Sequence, residues 1–286
     1  MFYIGFYLSK FIKLILKIFN KKASYLPGKV AGTLCNDFLN KIDKPKIIIG
    51  VTGTNGKTTV CNLLNSFFEK NNYKVLNNKY GSNVKSGIIT TFINGVGLTN
   101  KTNYDIAILE IDERSIPKIL PFIKLDYLIC TNLFRDSIKR NANADFIFDI
   151  INNNISDNTK LILNADDLIS SSLGDKNEKV FFSVDKLDTD LKESINIIND
   201  MRICPKCHTR LKYKYLKYHH IGNAFCPNCK FKSPKSDYRV SNVDFNNKKI
   251  TIIHDNNTFE YNLVNDSIFN IYNIVFLLAF LSEFKI

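Results

Sequence analysis

An α/β fold, built on a mostly parallel sheet and carrying a small inserted subdomain, follows from three features of this 286-residue sequence. A strand pattern at Lys46 to Val51 runs into a glycine-bearing turn and then a helical pattern from Lys57 to Lys70. Short apolar runs at Ile106 to Ile111, Tyr127 to Thr131, Leu161 to Leu163 and Val180 to Val184 alternate with helical or loop segments, as strands covered on both faces do. The stretch from about Arg202 to Pro234 breaks that rhythm with two C-x-x-C pairs.

With 45% hydrophobic residues, the chain can bury a core for one large domain or two smaller ones, which excludes global disorder. Asn, Lys and Ile are abundant enough to reflect a base-composition bias, so a single surface Asn or Lys carries little functional weight. The 39 Lys and Arg against 27 Asp and Glu leave a formal charge of +12. That charge favours anionic partners: nucleotides, nucleic acid or an acidic lipid surface. Four of the seven cysteines fall in the two pairs, while Cys35, Cys61 and Cys130 are scattered among apolar neighbours. Such pairing indicates a metal site in a reducing compartment, and hence a cytoplasmic protein, rather than a secreted disulfide framework.

Along the chain, Met1 to Phe19 is strongly apolar, but Lys10, Lys13 and Lys17 interrupt it and no small-residue cleavage site follows. Neither a membrane span nor a signal peptide fits. At ~100° per residue, Lys10, Lys13, Lys17 and Lys21 share one helical face, and Ile4, Leu8, Ile12, Ile15 and Phe19 the opposite one. This amphipathic helix either packs on its own domain or attaches to an anionic membrane surface. A loop at Leu26-Pro27-Gly28 and a short helical stretch lead to the first strand.

The run Gly50-Val51-Thr52-Gly53-Thr54-Asn55-Gly56-Lys57-Thr58-Thr59 is the most informative in the chain. Glycines let backbone N–H groups turn toward phosphate oxygens, the helix N-terminus adds its positive end, Lys57 supplies a cation and Thr58 a hydroxyl for Mg²⁺. Gly53, Thr54, Asn55, Gly56, Lys57, Thr58 and Thr59 are therefore the candidate nucleotide-binding residues. The strict spacing G-x-x-x-x-G-K-[ST] would place glycine at position 51, where this chain has Val51. Glu110 ends its strand, and carboxyl ends of parallel strands open onto ligand crevices, which suits Mg²⁺ binding. The alternative is a solvated acidic turn, a reading that fits Asp112 and Glu113 better still. Thr131 to Asp136 and Asn164 to Asp167 follow later strands and are expected along the same crevice.

Cys204-Pro205-Lys206-Cys207 and Cys226-Pro227-Asn228-Cys229 are separated by 18 residues, within the range that closes a tetrahedral structural Zn²⁺ site. His208, His219 and His220 are expected as surface or packing residues, because four thiolates saturate the metal. Lys212, Lys214, Lys217 and Lys230 interleave with Tyr213, Tyr215 and Tyr218. That pattern suits a solvated face around the metal, or nucleic acid. Strand patterns resume at Tyr238 to Val243, Lys249 to Ile253 and Thr258 to Leu263, and an apolar helix runs from Ile268 to Phe284.

Thr-Gly-Thr-Asn-Gly-Lys-Thr-Thr at 52–59, Leu-Glu-Ile-Asp-Glu at 109–113, Thr-Asn-Leu-Phe-Arg-Asp at 131–136, Leu-Asn-Ala-Asp-Asp at 163–167, the Cys₄ ribbon and Asn270-Ile271-Tyr272-Asn273 occur in one order. That order resembles the MurT-like proteins of the Mur ligase family, as do Leu26 to Ala31 and Gly81-Ser82-Asn83. The resemblance implies a P-loop Mur ligase central domain over 45–286 with a zinc-ribbon insertion at about 202–234, preceded by a helix and connecting segment over 1–44. It implies ATP, Mg²⁺ and Zn²⁺ as cofactors, with Asn83 and Asn273 joining the nucleotide-binding set. The implied reaction is amidation of the D-glutamate α-carboxylate of lipid II to D-isoglutamine through an acyl phosphate, in peptidoglycan synthesis. Ammonia would come from a glutamine amidotransferase partner (GatD-like) in a heterodimer at the inner face of the cell membrane.

By the same resemblance Lys57 and Glu110 are the catalytic residues, with Mg²⁺ on Thr58 and Glu110. Lys139 and Asn141 stand where the family usually has an acidic residue and a tyrosine, and the family's C-terminal ligase domain is expected to be missing. Two further readings stay open: a nucleotide-binding assembly module without activity of its own, and a basic zinc-ribbon nucleic-acid binder.

Overall fold

The apolar amino-terminal segment folds as helix α1 (Phe2–Ile18), followed by α2 (Leu26–Leu34) and the short α3 (Phe38–Lys41). The structure, a computed structural model, describes residues 1–21, 23–79, 82–135, 143–193 and 200–284. Gly81, Asp136, Lys139 and Asn141 lie outside the described residues. The chain divides into two units: Met1–Thr52, Lys57–Leu128 and Asn153–Thr159 form the first, and Gly53–Gly56, Ile129–Asn152 and Lys160–Ile286 the second.

Helix α1 packs by a different face from the one its pattern suggests. Ile4, Leu8, Ile15 and Phe19 are exposed and Ile12 is half-buried, whereas Phe2, Gly5, Phe6 and Ser9 are buried. Small residues decide this, because they let two helix backbones approach closely: Gly5 faces the Ala31 backbone, and Ser9 Oγ donates to Pro27 O at 2.8 Å. Phe2 then meets Phe38 with ring centroids 4.8 Å apart. The expected loop at Leu26-Pro27-Gly28 is instead the first turn of α2, where proline's missing N–H leaves no helical bond unmade. Gly28 marks a close crossing, since a Cβ there would lie 1.9 Å from Ser86 O.

The first unit continues with β1 (Ile47–Thr52), α4 (Lys57–Lys70), β2 (Val75–Asn77), α5 (Lys85–Gly95), β3 (Ile106–Glu110), α6 (Ile116–Ile119) and the first half of β4 (Tyr127–Cys130). Ile48, Ile49 and Val51 of β1 and Ile106 to Leu109 of β3 are buried, as continuous apolar strands of a parallel sheet should be. β3 pairs in parallel with both β1 and β2, and the register sets Val51 opposite Glu110. That register puts the carboxylate at the carboxyl end of its strand. β2 has only three residues, too few to show a period in the sequence.

The second unit holds the rest of β4, α7 (Ala144–Asn152), β5 (Lys160–Asn164), β6 (Lys179–Val184), β7 (Lys212–Tyr218), β8 (Ile221–Phe225), β9 (Tyr238–Asp244), β10 (Lys249–His254), β11 (Asn257–Asn262) and α8 (Ile268–Phe284). Strand order is β5-β6-β9-β10-β11, parallel as far as β9 and antiparallel beyond it. The hairpin β7–β8 forms its own two-stranded sheet between β6 and β9. Helix α8 buries Ile271, Tyr272, Val275, Phe276, Ala279 and Phe280, packing against β5, β6 and β9.

Gly28→Ala should lower the unfolding free energy by about 2 kcal/mol, the usual cost of forcing atoms into a filled contact. Urea denaturation measures it, and Gly32→Ala, where a Cβ would meet only the tip of the Ile89 side chain at 3.0 Å, should cost less.

Candidate functional site

In the first unit α4 begins at Lys57, so its first turn offers N–H groups without intrahelical partners. Thr58 Oγ1 donates to Glu110 Oε2 at 2.7 Å, and Asn83 Nδ2 reaches Oε1 at 3.4 Å. Asn78 brackets the Glu110 backbone, donating to its carbonyl at 2.8 Å and accepting from its N–H at 2.9 Å. Asn83 O also accepts from Asp112 N at 2.9 Å. Thr58, Asn83 and Glu110 thus come together, while Thr59 is exposed on the next position of α4.

Lys57 Nζ lies 2.9 Å from Glu113 Oε1, and the two side chains are only 14% and 15% exposed. Burial pushes the Glu113 carboxyl above its usual range, and the Lys57 ammonium offsets that only in part. The solvated acidic turn expected at Asp112 and Glu113 is therefore not observed. Asp112 Oδ1 accepts from Arg114 N at 3.0 Å and caps the short turn Glu113–Ser115, leaving Glu113 to turn inward. Asn78 carries no local motif that would single it out, and Glu113, the last residue of the Leu-Glu-Ile-Asp-Glu run, reads in the sequence only as a turn residue.

In the second unit the loop Gly53–Gly56 is shaped by the segment after β4. Gly53 has φ +122° and a Cβ there would sit 2.3 Å from Thr131 Oγ1, so glycine is required twice over. Gly56 has φ +87° and open space beside it, with only a Thr131 methyl at 4.0 Å. Thr54 N donates to Asn132 O at 2.8 Å, Asn55 N to Asn132 Oδ1 at 3.0 Å, and Thr54 Oγ1 to Phe134 O at 2.8 Å. Thr131 Oγ1 in turn donates to Asn55 O at 2.7 Å. Thr131 to Phe134 buttress this loop, while Asn55 and Gly56 remain exposed, a fit for an anion approaching the backbone.

Of two adjacent buried carboxylates, Asp167 holds that buttress and Asp166 ties β6 to α8. Asp167 accepts from Leu133 N at 2.7 Å and Ile169 N at 3.0 Å, and its Oδ1 lies 3.0 Å from His220 Nε2. Asp166 accepts from Val184 N at 2.9 Å and Tyr272 hydroxyl at 2.8 Å. Desolvation raises Asp166 to about 6, against the lowering effect of those two bonds. His219 stacks on Phe134 with ring centroids 4.5 Å apart. The two histidines are thus packing residues, as expected. Asn273 is half-buried on α8, next to Tyr272.

The Sγ atoms of Cys204, Cys207, Cys226 and Cys229 all lie within 4.8 Å of one another. Two pairs, Cys204 with Cys229 and Cys207 with Cys226, are 3.5 and 3.4 Å apart. A tetrahedron with Zn–S bonds of ~2.3 Å has S···S edges of about 3.8 Å, so one ion could touch all four. Hydrogen bonding to Thr209 pulls the Cys207 thiol down to about 6, while desolvation and bonds to the neighbouring thiols push Cys229 up to about 12. The apolar support is small: Leu168, Leu211 and Ala224 are the buried non-cysteine residues of this cluster.

The lysine and tyrosine pattern of β7 does not form a stacking platform for bases. Lys217 is 1% exposed and paired with Asp190 at 2.6 Å, Tyr213 hydroxyl donates to Met201 O at 2.9 Å, and Tyr215 is buried.

In the first unit a parallel strand ends in a carboxylate beside the start of α4, and the Mur ligase middle domain matches residues 51–281. The chain belongs to the Mur ligase family. It is 34% identical over 240 residues to the MurT subunit of lipid II isoglutaminyl synthase (glutamine-hydrolyzing) from Staphylococcus aureus (strain COL), covering 83% of this chain and 54% of that one. The MurT subunit of Streptococcus pneumoniae (strain ATCC BAA-255 / R6) is 32% identical over 255 residues, covering 88% and 56%. The chain therefore spans about half the length of these relatives. Among solved structures, a pseudomurein peptide ligase type C from Methanothermus fervidus superposes with TM-score 0.65 at 27% identity, covering 88% of this chain and 49% of that one. MurF from Acinetobacter baumannii, at 11% identity, TM-score 0.57 and coverage of 91% and 46%, shares the fold.

Because Asp166 is raised from 3.8 to about 6 on folding, the native state holds its proton more tightly than the unfolded chain. Its contribution is fully present below pH 4 and is lost as pH rises through 6, by up to about 3 kcal/mol. Asp166→Asn should flatten that part of the stability profile between pH 4 and 6, read as the difference in denaturation free energy between variant and parent.

Proposed function

We propose that this chain is the nucleotide-binding part of an ATP-dependent, amide-forming ligase of the MurT kind, acting on the D-glutamate α-carboxylate of lipid II with ammonia from a glutamine amidotransferase partner. The carrying observation is the bond between the Thr58 hydroxyl and the Glu110 carboxylate at the opening of α4. A hydroxyl and a carboxylate in contact are oxygen ligands ready for Mg²⁺. Support also comes from Lys57, whose position is fixed by Glu113, and from the MurT relatives.

In this reading the amides around Gly53 to Thr59 and the Lys57 ammonium receive the polyphosphate of ATP. Thr58 and Glu110 hold Mg²⁺, and Asn78 and Asn83 keep the Glu110 carboxylate aimed. Bound ATP supplies the phosphoryl group that activates the acceptor carboxylate as an acyl phosphate. Asn273 is assigned to the nucleotide on the family resemblance. Domain boundaries follow the same reading: a helix and connecting segment over 1–44, the ligase central domain from 45 onward, and a ribbon insertion at about 202–234. Cys204, Cys207, Cys226 and Cys229 hold a structural Zn²⁺ that keeps the β7–β8 hairpin folded.

Calorimetry of Mg·ATP on zinc-loaded protein should show binding that Thr58→Val weakens about tenfold or more, the scale of losing one metal ligand or charge-assisted contact. Lys57→Ala leaves Glu113 buried and unpaired, so it is compared with Lys57→Ala/Glu113→Ala, which should fold and still not bind. Absence of binding by the parent would overturn the ligase reading. Separately, Cys204→Ser should reduce bound zinc from one equivalent toward none and abolish the thermal transition of the ribbon, measured by metal analysis and hydrogen exchange.

A further inference from the structure

Helix α1 has two unlike surfaces. Phe2, Gly5, Phe6 and Ser9 dock it on its own unit. Tyr3, Ile4, Tyr7, Leu8, Phe11, Leu14, Ile15, Ile18 and Phe19 are all exposed, Phe11 at 58% and Ile18 at 69%. At ~100° per residue they sweep about half of the helix circumference without a polar side chain among them. Leu98, itself 69% exposed, continues the strip, and Tyr7 hydroxyl donates to its carbonyl at 3.3 Å. Isolated exposed apolar residues are ordinary, but a contiguous strip of this kind marks a contact surface.

Charge says which contact. The exposed Lys17 lies near one edge of the strip and Lys21 follows just past the helix end, whereas Lys13 sits further round the helix and is half-buried. Lys10 is used inside the unit, its ammonium 2.6 Å from Ile93 O and also bonded to Val96 O. Before Asp37 the chain has six lysines and no acidic residue, and Asp37 itself is paired with Lys41 at 2.9 Å. No helix among the described residues is long and apolar enough to cross a membrane.

We propose that α1 lies flat in the interface of an anionic phospholipid bilayer, with its Tyr, Phe, Ile and Leu strip at the acyl boundary and Lys17 and Lys21 among the lipid phosphates. Aromatic and aliphatic residues on one face with lysines along the edge are the signature of an interfacial helix. A second copy of this chain would bring its own lysine row against the first, with no acidic residue on either helix to balance it. This docking is independent of the ligase reading.

The test is flotation of the whole chain with vesicles of phosphatidylcholine and phosphatidylglycerol in equal parts, containing no lipid II and no nucleotide. Binding is expected, lost on phosphatidylcholine alone and weakened at high salt. Lys17→Gln and Lys21→Gln should each reduce partitioning about fivefold, the contribution of one lysine near an anionic surface. Phe11→Ser/Ile15→Ser should reduce it about tenfold or more; both side chains are exposed, so an unchanged melting temperature is the folding control. Failure of the folded parent to float with the mixed vesicles overturns the proposal. So does self-association in sedimentation equilibrium that Phe11→Ser/Ile15→Ser abolishes while flotation is unaffected, which assigns the strip to a second copy. Neither outcome touches Mg·ATP binding, and loss of Mg·ATP binding leaves this result standing.

Discussion

Asp166 and Asp167 are adjacent, almost wholly buried carboxylates, and much of the second unit can be understood as the means of satisfying them. A buried charge without partners costs several kcal/mol, so every group that reaches these two is constrained in position. Val184 of β6, Tyr272 of α8, His220 beside the β7–β8 turn and the backbone of Leu133 all converge there. Gly222 N also donates to Asp166 O at 2.7 Å. The ribbon hairpin is thereby tied to the same two residues that hold Leu133, and its neighbours Asn132 and Phe134 template the Gly53–Gly56 loop. The four cysteines meet at the far side of this hairpin from the two carboxylates that fasten it, and under the proposed zinc reading they close it.

The first unit solves a related problem at smaller scale. Glu110 ends a parallel strand, where its side chain would be free to choose among rotamers. Asn78 pins its backbone from both sides, and Thr58 and Asn83 take one carboxylate oxygen each. These contacts leave the carboxylate little rotamer freedom, as the proposed Mg²⁺ role requires. Lys57 is handled by the opposite device, a buried counter-charge at Glu113.

Helix α1 shows how packing and pattern can diverge. Hydrophobic periodicity places the strongest apolar face opposite the lysines, yet the docked face contains Gly5 and Ser9. Close backbone approach, which only small side chains allow, outweighed the gain from burying larger ones at a greater separation. The larger apolar side chains are left facing outward, with Lys17 and Lys21 near one edge, and a lipid interface accounts for both features at once.

Local order was readable from the amino acids alone wherever spacing along the chain carries the physics. The helical pattern at Lys57–Lys70 and the apolar run at Ile268–Phe284 fold as helices at those residues, β1, β3 and β4 fall within a residue or so, and the two C-x-x-C pairs meet. Each is a short-range property, set by a 3.6-residue period, a continuous apolar run or the reach of a knuckle. The partners of those residues were not readable: Asn78 beside Glu110 is 32 positions away, Glu113 beside Lys57 is 56, and His220 beside Asp167 is 53. In a chain rich in Asn, a buried Asn78 or Asn132 looks like any surface asparagine. Such contacts depend on how strands are ordered and which helix face is buried, and folding settles these by shape and desolvation across the whole molecule, where no local period applies.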